Sequence, residues 1–466
     1  MGQVEMNKEK AAGLTKKIAH LIKAFRYEDM PEELLERGRQ ILIDGIAVAV
    51  AGAKQEEPSG ILAANAKGYG GYGQASVLGL GFKTSMAQAA MINGGSMHVL
   101  DFEPMWNPPN HLLSTSLPAA LALVEHKEMD GKQLLTALLK GIEMAAGMRG
   151  ASNMHDLNEN RFHPPAMIGP LGATVASAHL LDLDEEQIRN ALGIVTSRCG
   201  GAWINVGTHT KCLHCGQASY VGLDSALLAS KGYTADQDAL EGSRGFIDSF
   251  LKWEKFDADI LLGYGKRSRI IDPGYEIKVY PSNFGTHPGI NAALEIYPQI
   301  RDIDDIVSIR EESVYQPYCD RPYPKTGLSG KFSHQYTVVC ALLDGEVTLD
   351  SFTEERRSDP KVDGLLARYQ CNMHKDWPCE LNGHKGELVV TLKDGTSISA
   401  VAEAPRGGHR FGSRPVSFEE HYPKLKKCLT KCMGDGEAEN VIHMGYKIDQ
   451  LSAEEMKEFF RLIRCE

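Results

Sequence analysis

The spacing of apolar residues up to about residue 260 is that of helices. Apolar side chains recur at intervals of three and four over residues 18–25 and again over residues 134–142, which is the pattern of helices that bury one stripe. Asp184 stands three residues before Gln187, an arrangement typical of a capping box that opens a helix. This part of the chain therefore predicts a large helical body.

Small residues interrupt these helical patterns, as in AAGMRGAS (residues 145–152) and GATVASA (residues 172–178). Residues without a bulky side chain let two helices approach closely, but glycine also favours mobile loops. The sequence is compatible with both explanations.

Beyond about residue 263 the pattern changes to a mixture of strands and helices. Residues 275–280 alternate apolar and polar side chains, and so do residues 387–392 and 397–402, which flank a turn containing Asp394-Gly395. Alternation predicts strands, and Asp-Gly between two alternating stretches is typical of a hairpin. The sequence therefore predicts at least one hairpin in this part of the chain.

Helical spacing also occurs among these strands, at residues 288–296 and 334–343, and it resumes towards the C-terminus. The mixture predicts a smaller α+β domain over residues 267–405. The two flanking segments, residues 1–266 and 406–466, then form one helical domain that is discontinuous in sequence. The predicted fold class is therefore mainly α with an inserted α+β part.

The composition agrees with two globular domains. The chain has 466 residues, of which 42% are hydrophobic and 24% charged, and this length exceeds the roughly 250–300 residues at which one core stops growing. The formal net charge is −11. A nucleic-acid partner is not expected, because its phosphates would require a surplus of cations. An anionic ligand would have to be met by local cations.

The sequence gives no sign of export or membrane insertion. The first 17 residues carry charges where a signal peptide needs an apolar run. The longest apolar stretch, residues 41–53, contains Asp44 and is shorter than the roughly 20 residues of a membrane-spanning helix, so it predicts a buried helix. Ten irregularly spaced cysteines favour reduced thiols over a disulfide framework. The expectation is a cytoplasmic protein without a membrane partner.

Two motifs suggest ligand sites but have simpler explanations. Residues 68–73 fit G-x-G-x-x-G, yet they follow a helical stretch and precede an extended one, whereas a dinucleotide site needs a strand, a glycine turn and then a helix. Residues 212–215 form a C-x-x-C around His214, but no second pair has the spacing of a common zinc site. We interpret the first as a connection and the second as buried thiols at the start of a helix.

The histidines are more informative. Sixteen are present, and several lie in stretches rich in glycine and proline, where a rigid loop can present an imidazole for acid–base work near neutral pH. These are His98, His111, His163, His209, His214 and His287. For any one of them a structural role stays open. Together with Asp101, Lys211 and Lys278 they offer cations for substrate carboxylates and a base for a proton α to one.

Five segments resemble the MmgE/PrpD family, in order and over nearly the whole chain. They are ILIDGIAVAVAGA (41–53), INGGSMHVLDFEPMWNPPNHLLSTSLPAALALVEH (92–126), RFHPPAMIGPLGATVASAHLLDLDEEQIRNALGI (161–194), THTKCLHCGQASYVGLDSALLASKGYT (208–234) and RPYPKTGLSGKFSHQYTVVCALLDG (321–345). The resemblance implies a homodimer whose subunits each have a large helical domain and an inserted α+β lid domain. It also implies a site free of cofactors and metals in the cleft between the domains.

The resemblance further implies roles for individual residues. The positions that match are Asp101 of the H-x-x-D-F motif, His111 at the end of its loop, His163 of F-H-P, Lys211 of K-x-L-H-x-G, and Lys278 and Tyr318 in the lid domain. The two lysines, aided by Arg161, would hold substrate carboxylates. The two histidines would be the acid–base pair, and the aspartate would orient an imidazole.

Two positions depart from the cis-aconitate decarboxylase branch of the family. Met105 stands where that branch has threonine, and Asn283 stands where it has histidine. Methionine does not donate a hydrogen bond as threonine does, and asparagine cannot shuttle a proton. Both positions count among the substrate-binding residues that the resemblance implies, so they favour a different small polycarboxylate.

The family includes 2-methylcitrate dehydratase, cis-aconitate decarboxylase and iminodisuccinate epimerase. The resemblance therefore implies a cofactor-independent lyase, either a decarboxylase or a dehydratase, that acts on a small anionic di- or tricarboxylate by proton transfer α to a carboxylate. An epimerase or isomerase is the alternative. A zinc enzyme built on Cys212, His214 and Cys215 and a non-catalytic binding protein are more remote alternatives.

Overall fold

The computed structural model describes residues 2–107, 110–155, 160–377, 384–406 and 416–466. The chain divides into two compact units. The first unit consists of Met1–Val99, Glu103–Tyr275 and Phe418–Glu466, and the second consists of Leu100–Phe102 and Glu276–Ser417. The segment Leu100–Phe102 therefore belongs to the second unit, although the chain on both sides of it belongs to the first.

The N-terminal part of the first unit is helical, with a few very short strands. The helices are α1 (Gln3–Lys10), α2 (Leu14–Ala24), α3 (Glu32–Gln55), α4 (Glu57–Tyr69), α5 (Met86–Val99), α6 (Leu113–His126), α7 (Gly131–Ser152), α8 (Pro164–Leu180), α9 (Glu185–Thr196), α10 (His209–Ser230), α11 (Phe246–Phe250) and α12 (Ala258–Leu262). The strands are β1 (Ala75–Val77), β2 (Phe82–Thr84), β3 (Met105–Trp106) and β4 (Tyr275–Glu276). The first two pair antiparallel.

Several predictions from the hydrophobic pattern are confirmed in these helices. α3 is buried continuously over residues 40–53, as its apolar stretch predicts. α9 begins with the capping box between Asp184 and Gln187. The glycine-rich residues 68–73 run from the end of α4 towards β1, which is the order expected of a connection.

The small residues in α7 and α8 serve close helix packing. A Cβ placed on Gly141 would lie 2.7 Å from the carbonyl oxygen of Gly172, and a Cβ on Gly172 would lie 2.7 Å from the carbonyl oxygen of Gly141. The two backbones therefore touch at this point. Of the two explanations that the sequence leaves open, close approach is the one observed, because both small-residue stretches lie inside helices.

The second unit combines helices with a four-stranded sheet. Its helices are α13 (His287–Ile296), α14 (Gly327–Gly330), α15 (His334–Asp344), α16 (Glu354–Arg357) and α17 (Pro360–Leu366), and its sheet contains β5 (Ile306–Val314), β6 (Tyr369–His374), β7 (Gly386–Leu392) and β8 (Ser397–Ala402). The strand order is β6-β5-β7-β8. β5 pairs parallel with β6, and the other two pairings are antiparallel. The predicted hairpin is β7–β8.

The core of the second unit lies between this sheet and its two longest helices. Ile309 of β5 and Val390 of β7 are paired in register, and both are fully buried with Ile290 of α13 and Val338 of α15. Alternate residues of β7 are buried, as a strand covered on one face requires. The fold is thus mainly α with an α+β part, as predicted.

The strand predicted over residues 275–280 is wrong beyond its first two residues. Only Tyr275 and Glu276 are extended in a strand. The alternation predicts that polar residues face solvent, but Glu276 and Lys278 are each only 1% exposed. Their polar groups turn inward, so the pattern does not describe a one-sided sheet strand.

The C-terminal segment returns to the first unit as α18 (Phe418–Leu429), α19 (Asp435–Gly445) and α20 (Ala453–Arg464). Asp44 of α3 is fully buried and is bonded by two side chains of α18. His421 Nε2 lies 2.7 Å from one carboxylate oxygen, and Lys424 Nζ donates to the other over 2.9 Å. This buried ion pair joins the two ends of the chain in one unit.

The cysteines differ in part from the expectation of reduced thiols. Cys432 and Cys465 form a disulfide with Cα atoms 6.2 Å apart, and seven other described cysteines are free. Cys379 lies outside the described residues. Sequence spacing could not predict the pairing, because it depends on the packing of α20 beside the end of α18.

No helix in the described chain is long and apolar enough to cross a membrane.

Candidate active site

His98 and His111 direct the same ring nitrogen at one carboxylate oxygen. Glu103 Oε1 lies 2.5 Å from His98 Nδ1 and 2.9 Å from His111 Nδ1. Ser114 Oγ donates a further hydrogen bond to this oxygen over 3.2 Å. Glu103 is 0% exposed, and the two imidazole rings meet edge to face with centroids 4.4 Å apart. His98, His111 and Glu103 are thus grouped around one buried carboxylate oxygen.

The backbone around these residues explains how they meet. His98 lies in the last turn of α5, and His111 lies just before α6. Between them, Trp106 and Asn110 exchange backbone hydrogen bonds of 3.0 and 2.9 Å, which close a turn. The indole N–H of Trp106 donates to the carbonyl oxygen of Arg269 over 2.7 Å, which holds this turn against the helical unit.

The protonation states in this arrangement follow from burial and hydrogen bonding. Burial alone would raise the pKa of Glu103, but the influence of His111 and His98 and their hydrogen bonds hold it well below its ordinary value. Burial, reinforced by the charge of Lys211, lowers the pKa of His98 to about 3. An ionised carboxylate only accepts hydrogen bonds. His98 therefore donates its Nδ1–H to Glu103, and its Nε2 carries the lone pair of a base.

His163 and His214 form a second imidazole pair. Their Nδ1 atoms are 3.2 Å apart, so one ring donates a hydrogen bond to the other. Burial first, and then the charge of Lys211, lowers the pKa of both, and both are therefore neutral near pH 7. The rings of His98 and His163 have centroids 5.9 Å apart, which places the second pair beside the first.

Lys211 supplies the positive charge of this region. It is 8% exposed and lies in the first turn of α10 with His214 close behind. α10 approaches α5 closely, because a Cβ on Gly94 would lie 2.9 Å from Gly216 Cα. A Cβ on Gly216 would lie only 2.2 Å from the carbonyl oxygen of Met91. Two glycines thus let the helix that carries the lysine contact the helix that carries His98.

We call the six residues His98, Glu103, His111, His163, Lys211 and His214 the histidine cluster. Two of its buried atoms, His98 Nε2 and Glu103 Oε2, have no hydrogen-bond partner among the described residues. Buried polar atoms are nearly always paired in folded proteins, and an exception calls for a functional explanation or a bound group. The cluster therefore has the character of a binding site for a polar ligand.

Asp101 and Lys278 are bonded to each other in the second unit. Lys278 Nζ lies 3.1 Å from Asp101 Oδ1 and donates to the carbonyl oxygens of Asp101 and Ser282 over 2.8 and 3.2 Å. Asp101 is 2% exposed and Lys278 1%. Asp101 has φ of +50°, a left-handed conformation that aspartate adopts more readily than most residues. Their roles towards a substrate stay predictions, and so does the predicted cleft.

The other residues predicted to bind substrate lie in different surroundings. In the first unit, Met105 is buried in β3, and Arg161 is exposed just before α8. In the second unit, Asn283 accepts a hydrogen bond from the backbone N–H of Gly285 over 3.0 Å, and Tyr318 is partly buried. Their roles in substrate binding stay predictions.

The C-x-x-C stretch is explained by buried thiols. Cys212 and Cys215 are free and buried in α10, and burial raises the pKa of both thiols. Thiols held in the protonated form are poor nucleophiles and poor metal ligands. In the described part of the chain, the donor atoms close enough together to hold a metal ion include those of His98, Glu103 and His111, and neither cysteine belongs to that group.

Reasoning from the sequence missed Glu103 as a functional residue. The available signal is an acidic side chain two positions after Asp101, between two loop histidines, but the H-x-x-D-F motif directs attention to the aspartate. His98 and His214 stand out among the loop histidines, yet nothing in the sequence assigns them a role. Their convergence depends on helix packing.

The fold and the histidine cluster are those of a mainly helical, two-unit protein equipped for acid–base chemistry. The chain belongs to the MmgE/PrpD family: residues 16–259 match the MmgE/PrpD N-terminal domain, and residues 280–450 match the MmgE/PrpD C-terminal domain. The resemblance read from the sequence motifs is thereby confirmed.

Curated relatives carry two names. The cis-aconitate decarboxylase of Mus musculus is 26% identical over 94% of this chain and 91% of its own length, and that of Aspergillus terreus is 26% identical over 97% and 96%. The 2-methylcitrate dehydratase of Cupriavidus necator is 25% identical over 72% of this chain and 74% of its own length. Both names denote lyases, which supports a lyase activity for this chain.

Proposed function

We propose that this protein is a lyase that acts on a small di- or tricarboxylate, with protein side chains transferring a proton α to a carboxylate. Decarboxylation is the first candidate reaction. Relatives named cis-aconitate decarboxylase align over 94–97% of the chain, whereas relatives named 2-methylcitrate dehydratase align over 72–88%. Dehydration is the second candidate, and Met105 and Asn283 argue for a substrate other than cis-aconitate.

The observation that carries the proposal is the carboxylate shared by two imidazoles. Glu103 Oε1 accepts a hydrogen bond from His98 Nδ1 and lies 2.9 Å from His111 Nδ1. His98 therefore keeps its Nδ1 proton and presents Nε2 for proton exchange, and the carboxylate would stabilise a positive charge on His111. A ring fixed in one tautomer and one orientation is a better acid–base group than a free one. Such a positioned group contributes about 10²–10⁴-fold to a rate.

Lys211 would bind the substrate. Its ammonium group can form a charge-assisted pair with a carboxylate, and its positive charge stabilises the negative charge that develops on the substrate when a proton or carbon dioxide leaves. Because burial and this charge keep His98 and His163 neutral, the imidazoles of the cluster are available as bases near pH 7. The ammonium group of Lys211 would then be the cation of the histidine cluster that receives an anionic substrate.

The two candidate reactions use the same groups differently. In decarboxylation the bond between carbon and a carboxylate breaks, carbon dioxide leaves, and the electron pair left on carbon takes the Nε2 proton of an imidazolium that has been protonated from solvent. In dehydration one imidazole removes the α proton, and the other, protonated from solvent beforehand, gives its proton to the departing hydroxide, so that water leaves. His111 and His163 are the proposed pair in both cases, as predicted from the sequence.

The proposal is tested with a substrate panel in deuterated water, followed by NMR. The panel contains 2-methylcitrate, citrate, cis-aconitate and iminodisuccinate. Loss of a carboxylate with uptake of one deuterium indicates a decarboxylase, and formation of an alkene indicates a dehydratase. Deuterium exchange with inversion at one carbon would support the epimerase alternative instead.

The variant that tests the role of the imidazoles is His111→Ala, and its control is His374→Ala. His374 also pairs with a glutamate, Glu312, over 2.7 Å, but it lies in the sheet of the second unit. We expect His111→Ala to lose turnover and His374→Ala to keep it. No reaction with any polycarboxylate of the panel, or full activity in His111→Ala, would contradict the proposal.

The homodimer implied by the family is a further expectation, which light scattering would check.

A further inference from the structure

A cavity lies in the helical unit, and none of its lining residues belongs to the histidine cluster. Its volume is about 420 Å³, within the range of roughly 300–1,000 Å³ that small-molecule sites occupy. The ends of α2 and α8 and the starts of α7 and α9 contribute its walls. The cavity is therefore large enough for a small metabolite.

Most charged side chains around this cavity are already paired. Lys23 Nζ lies 2.6 Å from Asp182 Oδ1, and Lys132 Nζ lies 2.9 Å from Glu28 Oε1. Asp130 caps the N-terminus of α7 with its carboxylate. These groups have protein partners and leave little net charge for a ligand.

Lys140 is the exception. Its side chain is 3% exposed, and no carboxylate of the described residues lies within 4.0 Å of its Nζ. The neighbour that it contacts is His179, whose Nδ1 lies 3.4 Å away. Burial, and then the nearby Lys23, lowers the pKa of Lys140 to about 8, while burial and Lys140 lower the pKa of His179 to about 4. At pH 7 the cavity thus holds a buried ammonium group beside a neutral imidazole.

Part of the wall is apolar. It is formed by Ile22, Phe25, Ala178, Leu183 and Ile188. A ligand that satisfies the whole cavity therefore needs one negative charge and a hydrocarbon part. A buried charge without a partner costs several kcal/mol, about as much as breaking a buried ion pair, and an anion that pairs with the ammonium group would remove this cost.

We propose that this cavity is a binding site for a small aliphatic monocarboxylate, whose carboxylate pairs with Lys140 and whose hydrocarbon part contacts the apolar wall. One unpaired positive charge is balanced by one negative charge. A phosphate dianion would bring a surplus negative charge into a partly enclosed site and would find no partner for it. A neutral amide would leave Lys140 without a counter-charge.

The site is tested by isothermal titration calorimetry with butyrate, with butyramide as the neutral analogue and inorganic phosphate as the competing anion. The full chain carries Lys211→Met in every sample, so that the histidine cluster does not bind the probe. Lys140→Met removes the buried charge but keeps the length of the side chain. Lys132→Met is the matched control, since Lys132 lines the same cavity but is paired with Glu28.

We expect butyrate to bind, and Lys140→Met to weaken that binding by about tenfold or more, the usual effect of losing a charge-assisted pair. Lys132→Met should bind butyrate as well as the parent, and butyramide should not bind. Three results would each overturn the proposal. The first is equal affinity for butyrate in Lys140→Met, and the second is tighter binding of phosphate than of butyrate. The third is no butyrate binding at about 50 mM, a concentration far above a 1 mM dissociation constant.

A second variant keeps the test decisive if Lys140→Met does not fold. Gln133 is exposed and lines the cavity from α7, so Gln133→Trp should partly fill the cavity without disturbing the core. We expect it to weaken butyrate binding as well. Unchanged affinity in a folded Gln133→Trp protein would place the butyrate elsewhere and overturn the assignment.

Discussion

Glu103 Oε1 lies 2.5 Å from His98 Nδ1, with both side chains buried in the helical unit. The contact does more than join two residues, because the same oxygen also lies 2.9 Å from His111 Nδ1. One carboxylate thus acts on two imidazoles. The acid–base properties of this site depend on a residue that need not touch the substrate.

The first prediction concerns Glu103→Gln. A glutamine side chain has almost the same shape and can keep its amide oxygen in the place of Oε1, but that oxygen carries no charge. The hydrogen bond to His98 is then weaker, and a positive charge on His111 loses its counter-charge. We expect kcat to fall by about 10²-fold or more, as for other losses of an imidazole-orienting group. Nitrogen-15 NMR of labelled histidine should show shifted Nδ1 resonances for His98 and His111.

Glu312→Gln is the control for this change, since Glu312 also accepts from a histidine, His374, but outside the cluster. It should leave kcat and the spectra of the cluster histidines unchanged. A Glu103→Gln protein that is fully active, with unchanged Nδ1 resonances of His98 and His111, would show that the shared carboxylate is only structural.

The second prediction separates proton transfer from binding. His111→Ala and His163→Ala remove the proposed acid and base, so kcat should fall by about 10²–10⁴-fold in each. Lys211→Ala removes a cation that binds the substrate, so its main effect should be a higher KM. Steady-state kinetics on the substrate found in the NMR panel would measure this. Histidine variants with the parent kcat would refute the assignment.

The third prediction concerns the buried pair of Asp101 and Lys278. Lys278→Met removes the ammonium group that lies 3.1 Å from the buried carboxylate of Asp101, and breaking such a buried pair typically costs about 3–5 kcal/mol of unfolding free energy. Adding Asp101→Asn should recover much of this loss. Urea denaturation of both single variants and the double variant would measure the coupling.

An exposed ion pair of equal length provides the control for this third prediction. Lys10 and Asp259 are also 3.1 Å apart, with side chains 56% and 67% exposed. Lys10→Met should change the unfolding free energy by no more than about 1 kcal/mol, since water and salt screen such pairs. If Lys278→Met and Lys10→Met lost the same unfolding free energy, burial would not be the reason that the Asp101 pair stabilises the fold.

The fourth prediction concerns pH. Burial lowers the pKa of His98 to about 3 and that of His384 to about 4, the latter with a small contribution from His334, whereas an unfolded histidine titrates near 6.5. Below about pH 6.5 the unfolded state therefore binds more protons than the folded state, and the protein loses stability as the pH falls towards about 4. Above about pH 6.5 this contribution to stability is fully present.

His384→Gln tests the pH prediction, because it removes one of these buried, neutral imidazoles. Each such group contributes a slope of at most about 1.4 kcal/mol per pH unit. The dependence of the urea midpoint on pH between 6 and 5 should therefore be shallower in the variant. Parallel curves for the parent and His384→Gln would rule out this histidine as a source of the acid sensitivity.

The helical body and the hairpin could be predicted because their signals are local. The three- and four-residue spacing over residues 18–25 is a property of one helix, and the alternation around Asp394-Gly395 is a property of one hairpin. The stretch of residues 275–280 shows the limit of this reasoning. Its alternation is genuine, but tertiary contacts bury Lys278, so a local pattern could not reveal its environment.

The site was less predictable than the fold because its geometry depends on contacts between distant helices. His111, His163 and Lys211 could be named from motifs, and the structure places all three in the first unit. Glu103 could not, since the H-x-x-D-F motif points to Asp101, and only the folded chain shows that Glu103 is hydrogen-bonded to His98.

The contact between Gly94 and Gly216 has a consequence for how this enzyme could be engineered or could drift in evolution. Neither residue has a functional group, yet almost any side chain at either position would act as a wedge between the helix that carries His98 and the helix that carries Lys211. A mutational scan scored on turnover would therefore mark both glycines as intolerant, like catalytic residues. Attempts to change substrate preference should vary the residues around the cluster and leave these two positions unchanged.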